Sequence, residues 1–218
     1  MVPLRILVAD DHEMMLTGVR RVIERQSGWE VCGVATTGRE AVEQALALEP
    51  DIVVMDMSMP GLNGLDAAVQ IKRHLPQTEI LILSAHETED LIREVFAAGI
   101  KSFIFKSQAQ HFLVEAIQSL SQHKPFFINQ VSEALFAEMI TRSESKPDTA
   151  QANEALTARE REIVQLLAEG SSNKEVAGTL GISTRTAETH RANVLRKLRL
   201  SSVAEVVRYA IRNKMIEA

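Results

Sequence analysis

Asp51-Ile52-Val53-Val54-Met55-Asp56-Met57-Ser58-Met59-Pro60-Gly61 is an apolar run closed by a single acid and then by Pro-Gly. Three of the four residues from Ile52 to Met55 are β-branched, and Pro50 and Pro60 bound the run. Such a segment reads as a strand buried on both faces, as in the middle of a parallel sheet. A carboxylate closing that strand is costly to bury, so Asp56 is expected where the sheet opens, at the strand's carboxyl end, where open α/β sheets place their ligands.

Working outward, the pattern repeats. Leu4 to Ala9 is an apolar strand ending in Asp10-Asp11-His12, and Glu30 to Thr36 a second one. Glu79 to Leu83 ends at Ser84-Ala85, and Lys101 to Phe105 ends at Lys106-Ser107. Between and after them, Glu13–Gln26, Gly38–Leu48, the segment from Asn63-Gly64, Glu87–Ala98 and Ala109–Ser121 have helical spacing. Five βα units in series predict a parallel sheet wrapped by helices. Asp10, Asp11, Asp56, Ser84 and Lys106 then fall along one edge of it.

Three carboxylates converging on one spot raise each other's pKa unless a cation joins them. Hard oxygen donors with room for waters suit Mg2+. A hydroxyl (Ser84) and an ammonium (Lys106) facing the same spot can hold phosphoryl oxygens, with Asp56 as the nucleophile that becomes an acyl phosphate.

Residues 4–121 resemble the receiver domain of two-component response regulators. The residues that carry the likeness are Asp10-Asp11, Asp56 with Met59-Pro60-Gly61 and Gly64, Ser84-Ala85, Phe103 and Lys106. The resemblance implies a flavodoxin-like (βα)5 fold with strand order 2-1-3-4-5. It also implies Mg2+ held by Asp11, Asp56, the Ser58 backbone carbonyl and, through water, Asp10, and a switch formed by Ser84 and Phe103. Two positions depart from the family: Ser107 stands where many receivers have proline, and Phe103 where tyrosine is commoner. Ser58 and His86 flank the path of a water that would attack the acyl phosphate.

The length of 218 residues allows two small domains, and the charge is unevenly divided. Residues 1–150 hold 13 Lys and Arg against 21 Asp and Glu, net −8; residues 151–218 hold 11 against 8, net +3. The basic half is the nucleic-acid candidate, with five Lys or Arg and one Glu between Arg185 and Arg199. No apolar run is long enough to span a bilayer, the start lacks a signal-peptide pattern, and the single cysteine, Cys32, reads as a buried strand thiol. A reducing cytoplasm is the expected compartment.

The division expected is a receiver over 1–122, a linker over 123–153 with a helix at 128–140 and a polar tether at 141–153, and a small all-α domain over 154–218. In the last, Thr157-x-x-Glu160, Ser172-x-x-Glu175 and Ser202-x-x-Glu205 are capping boxes that start helices. Gly181-Ile182-Ser183 is the turn of a helix-turn-helix. In the helix after it, Ala187, His190, Val194 and Leu198 share the core face. Arg185, Glu188, Thr189, Ala192, Arg196 and Arg199 share the opposite one. Glu188, Thr189 and Ala192 are assigned to base edges, and Lys174, Arg185, Arg191, Arg196, Lys197 and Arg199 to phosphates.

Residues 156–216 resemble the LuxR-type, four-helix DNA-binding domain, on Leu156-Thr157-x-Arg159-Glu160, Asn173-Lys174-Glu175-Val176-Ala177 and Thr186-Ala187-Glu188-Thr189-His190-Arg191. With the receiver this gives the pattern of NarL/FixJ-type response regulators. That resemblance implies a transcription factor rather than an enzyme, phosphorylated by a sensor histidine kinase and acting as a homodimer on double-stranded DNA at an inverted repeat, with RNA polymerase a further partner. A haloacid-dehalogenase-like phosphatase would need a general acid two residues after Asp56, where Ser58 stands. A flavodoxin leaves three carboxylates beside an anionic cofactor unexplained. A regulator indifferent to phosphate leaves the complete acidic set without a use.

Overall fold

The computed structural model describes residues 2–85, 89–126, 156–213 and 215–216, without the side chains of Glu89 and Asp90. These residues form two compact units, each with its own core. His86, the expected helix at 128–140 and the expected tether at 141–153 lie outside the described residues.

The first unit alternates strands and helices: β1 (Leu4–Ala9), α1 (Glu13–Glu24), β2 (Trp29–Ala35), α2 (Gly38–Leu48), β3 (Ile52–Asp56), α3 (Gly64–His74), β4 (Glu79–Ser84), α4 (Glu89–Ala97), β5 (Phe103–Phe105) and α5 (Ala109–Leu120), with a 3-10 turn at Lys106–Gln108. The sheet is parallel in the order β2-β1-β3-β4-β5. Every residue of β3 is buried, because it is the central strand and is covered on both faces. One face packs Ile6, Val8, Val54, Leu81 and Ile104 against Val19 and Ile23 of α1 and Leu113 and Ile117 of α5. Burying side chains of that size contributes about 1.5–3 kcal/mol each.

Where α3 begins, the backbone comes against the end of β3. The Gly64 amide donates to the Met57 carbonyl at 2.8 Å, and a Cβ on Gly64 would sit 1.8 Å from the Asp56 carbonyl oxygen. Only glycine permits that approach. Asn63 caps the helix by accepting from the Asp66 amide at 2.8 Å, so the loop after Asp56 is held from both sides.

Two expectations are corrected here. Cys32 is half-buried rather than buried, because β2 is the sheet's edge strand; its partial burial pushes the thiol pKa up. Residues 123–126, expected to open the linker, belong to the first unit. The chain reverses at His123 (φ 57°), whose Nδ1 lies 2.9 Å from Glu79 Oε1, and Phe126 is buried in the core beside Phe112.

Among its described residues the second unit has four helices: α6 (Ala158–Ala168), α7 (Asn173–Leu180), α8 (Thr184–Lys197) and α9 (Val203–Arg212). All three expected capping boxes are formed, at Thr157, Ser172 and Ser202. Gly181 ends α7 in the left-handed region (φ 64°), and Ser183 caps α8 two residues later. Ile163, Val164, Leu167, Val176, Leu180, Ala187, Val194, Val206 and Ala210 make the core.

Candidate phosphoacceptor and DNA-binding sites

Because the strands are parallel, their last residues share one edge. Asp10 follows β1 and is fully buried, Asp56 ends β3 with 1% exposure, and Ser84 ends β4, also at 1%. Lys106 opens the 3-10 turn after β5 and reaches back into this edge. Its Nζ lies 2.9 Å from Asp56 Oδ2, 3.1 Å from Asp10 Oδ2 and 3.3 Å from Asp10 Oδ1. Carboxylate or imidazole donor atoms of Asp10, Asp11, His12 and Asp56 all lie within 4.8 Å of one another. His12 was not among the residues expected here. Its amide donates to Asp10 Oδ1 at 2.9 Å, and its Nδ1 lies 2.7 Å from Asp11 Oδ1. The one signal for it in the sequence is its place directly after the acidic pair.

Burial pushes the Asp56 pKa from 3.8 to about 6; the charge of Asp10 adds to the rise, while Lys106 and a backbone hydrogen bond from Ser58 oppose it. Lys106 is held above its usual value. Burial alone would lower it, but the hydrogen bond and charge of Asp56, together with Asp10, outweigh that. One ammonium is therefore shared between two buried acids and leaves a surplus of negative charge. Asp10 Oδ2 and Asp56 Oδ2 are both buried and share the single ammonium of Lys106. Buried oxygens in that state, beside the partly exposed Asp11, fit a hard divalent cation such as Mg2+.

Phe103 has 1% exposure, and its ring packs edge-on against Phe96 of α4 (6.0 Å between centroids) and Phe105 (5.4 Å). It lies in register with Ile82, two residues before Ser84. Among the described residues there is no cis peptide bond.

In the second unit α8 buries Ala187 and Val194 and half-buries His190 and Leu198, as its periodicity predicts. Arg185, Glu188, Thr189, Ala192 and Arg196 are exposed on the other side, and so is Lys174 of α7. Thr189 is exposed and donates its hydroxyl proton to the Arg185 carbonyl at 2.9 Å, so its oxygen can still act as an acceptor. Arg196 donates to Asn193 at 2.9 Å and Arg191 to Asn173 at 3.4 Å.

One expected phosphate contact, Lys197, is engaged within its own unit, and another, Arg199, is exposed but lies outside the helix. Lys197 is only a quarter exposed and pairs with Glu160 at 2.9 Å, the same acid that closes the capping box of α6. Arg199 lies beyond the end of α8 with a left-handed φ of 55°, so helical periodicity does not set its direction.

Residues 6–118 match the response regulator receiver domain family, and residues 154–210 match the bacterial regulatory proteins of the luxR family. The chain is a response regulator. The transcriptional regulatory protein LiaR of Bacillus subtilis is 35% identical over 213 residues, covering 98% of this chain and 99% of that one. Among solved structures, a two-component response regulator of the LuxR family from Aurantimonas sp. SI85-9A1 is 30% identical, covers 63% of this chain and 99% of that one, and superposes with a TM-score of 0.58. The RcsB response regulator of Salmonella typhimurium shares the fold across 96% of this chain and 98% of its own (TM-score 0.57, 24% identity). This response regulator thus combines a receiver of order 2-1-3-4-5 with a LuxR-type helix-turn-helix domain, and its role is transcription regulation rather than enzymatic turnover. The acidic pocket of its receiver is of the kind that binds Mg2+. Among the described residues no helix is long and apolar enough to cross a membrane.

Proposed function

We propose that Asp56 is the phosphoacceptor of a sensor histidine kinase, and that the acyl phosphate formed on it controls dimerisation and DNA binding. The observation that carries this reading is the buried contact of Lys106 with both Asp56 and Asp10 at the open edge of the sheet. A carboxylate oxygen of Asp56 attacks the phosphorus of a phosphohistidine; the new O–P bond forms as the P–N bond breaks and the imidazole leaves. Lys106 exchanges part of its contact with Asp56 for a phosphoryl oxygen, and the Ser84 hydroxyl donates to another. Asp11, Asp56 and the Ser58 carbonyl, with Asp10 through water, would hold Mg2+, which supplies charge neutralisation at the phosphoryl oxygens. The Ser84–Phe103 pair is the switch. With no ring hydroxyl on Phe103, its two states differ in packing against Phe96 and Phe105.

The output is a homodimer on an inverted repeat of double-stranded DNA in a cytoplasmic setting, with RNA polymerase the further partner at a promoter. Glu188, Thr189 and Ala192 face base edges, whereas Lys174, Arg185, Arg191 and Arg196 contact phosphates. Arg199, exposed just past the end of α8, joins them, and Lys197, paired with Glu160, takes a lesser part. Exposure of one helix face to solvent is the support for this assignment. As to domain limits, the receiver runs from residue 1 through Phe126, the linker to 153 and the DNA-binding domain from 154 to 218.

The test is labelling by acetyl phosphate with Mg2+. Wild type is expected to label on one residue and to gain affinity for duplex DNA, and Asp56→Asn to do neither. An Asp56→Asn protein that still labels and still gains affinity would overturn the assignment.

A further inference from the structure

The reversal after α5 is fastened more firmly than a domain exit requires. The Ser119 hydroxyl lies 3.2 Å from the Lys124 carbonyl and 3.0 Å from that of Pro125, while the Lys124 amide donates to the Ser119 carbonyl at 3.0 Å. Two residues on, Phe126 forms a parallel bridge with Ser102, and its amide donates to Ser102 Oγ at 3.0 Å. The Phe126 ring enters the core cluster that holds Leu81, Leu83 and Ile104, 6.2 Å from the ring of Phe112.

Ser102 therefore has two attachments. Its hydroxyl accepts from Phe126, and its carbonyl accepts from the Ile82 amide of β4 at 3.1 Å. Ser102 is fully buried and immediately precedes Phe103; Ile82 is two residues from Ser84 and in register with Phe103. Successive residues of a strand face opposite sides. Any shift of the strand that reseats Phe103 on one side thus moves the Ser102 hydroxyl on the other, and with it Phe126, where the described part of the first unit ends. A hydrogen bond in a buried setting resists being stretched, because a separated donor and acceptor would both be left unsatisfied.

We propose that Ser102 and Phe126 are positioning residues that form the joint through which the state of the Ser84–Phe103 pair reaches the linker. This rests on the phosphorylation reading given above. It goes beyond it by assigning the exit path to one hydrogen bond and one buried ring. The competing role, a Phe126 that merely closes the core, makes the same contacts but predicts no selective loss of response.

The experiment uses the full chain: wild type, Phe126→Ala, Phe126→Leu and Ser102→Ala. Each is labelled with acetyl phosphate and Mg2+. Each is then measured, labelled and unlabelled, on one duplex selected from a random pool by labelled wild type. Phe126→Ala and Ser102→Ala are expected to label within about twofold of wild type and to keep the unlabelled affinity. The gain in affinity on labelling should fall at least fivefold in Phe126→Ala and by a smaller factor in Ser102→Ala, with Phe126→Leu restoring most of it. A Phe126→Ala protein that labels normally and keeps the full gain overturns the proposal. So does a full gain in Ser102→Ala where Phe126→Ala fails to fold. If wild type labels without gaining affinity, the phosphorylation reading itself fails and this inference falls with it; if wild type gains while both variants also gain, only the joint is refuted.

Discussion

Replacing Asp56 by asparagine should stabilise the metal-free receiver at neutral pH. The carboxyl is 1% exposed and its pKa is raised from 3.8 to about 6, so the folded protein binds that proton more tightly than the unfolded chain does. A raised folded-state value contributes stability that is fully present below about pH 4 and is lost as the pH rises through about 6. About two pKa units correspond to about 3 kcal/mol between those limits. The attraction of Lys106 is already contained in that value, since it is one of the effects that hold the pKa down. Asparagine resembles the protonated acid at every pH. Asp56→Asn should therefore match wild type near pH 4 and exceed it by up to about 3 kcal/mol at pH 8. The assay is urea unfolding in a chelator, followed by the fluorescence of Trp29, the chain's single tryptophan, which packs on the receiver core and reports that unit alone. Adding Mg2+ should close the gap by stabilising wild type only. A difference that stays constant from pH 4 to 8, or a wild type more stable at pH 8 without metal, would refute the reasoning.

Mg2+ binding measured by calorimetry should weaken by about tenfold per pH unit below pH 6, where the proton and the cation compete for Asp56; an affinity flat from pH 5 to 7 would exclude Asp56 from the metal site. Gly64→Ala should unfold the receiver or cost more than about 3 kcal/mol, because the added Cβ would lie 1.8 Å from the Asp56 carbonyl; a Trp29 unfolding curve like that of wild type would show that the strand end can yield. Arg185→Ala should weaken all duplexes alike and lower the log–log salt slope by about one, whereas Glu188→Ala should alter preference at one base pair per half-site by about 1–3 kcal/mol. Lys197→Ala should leave the salt slope nearly unchanged and cost about 0.5 kcal/mol in the second unit, since its ammonium is engaged by Glu160; a slope reduced by one would return Lys197 to the phosphates.

The central strands and the acids at their ends were legible because both depend on local pattern. The run Ile52–Met55 is apolar at every position, and in a parallel order each strand's last polar residue must reach the same edge. The three capping boxes were legible for the same reason, each lying within four residues of chain. What failed to show is what depends on distant partners. Cys32 lies between Val31 and Gly33 with Val34 next, and only the strand order makes it an edge residue. Phe126 follows Lys124-Pro125 and reads as loop, because the serine that fixes it is 24 residues earlier. Lys197 resembles every other basic residue of α8 until Glu160, 37 residues away, is placed beside it.

The sharing of Lys106 between two buried acids has a consequence for the order in which the chain is made. Asp10 and Asp56 are synthesised first, after β1 and at the end of β3, two strands that pair directly in the folded sheet. A nascent chain that ends before Lys106 holds two acids at the end of a dry strand pair with no cation between them. Burying both acids without that cation is costly, so those strand ends stay open to water until β5 is added. The segment after the last strand thus brings the counter-charge of the pocket, and the pair of acids is complete with its cation only when the receiver is whole.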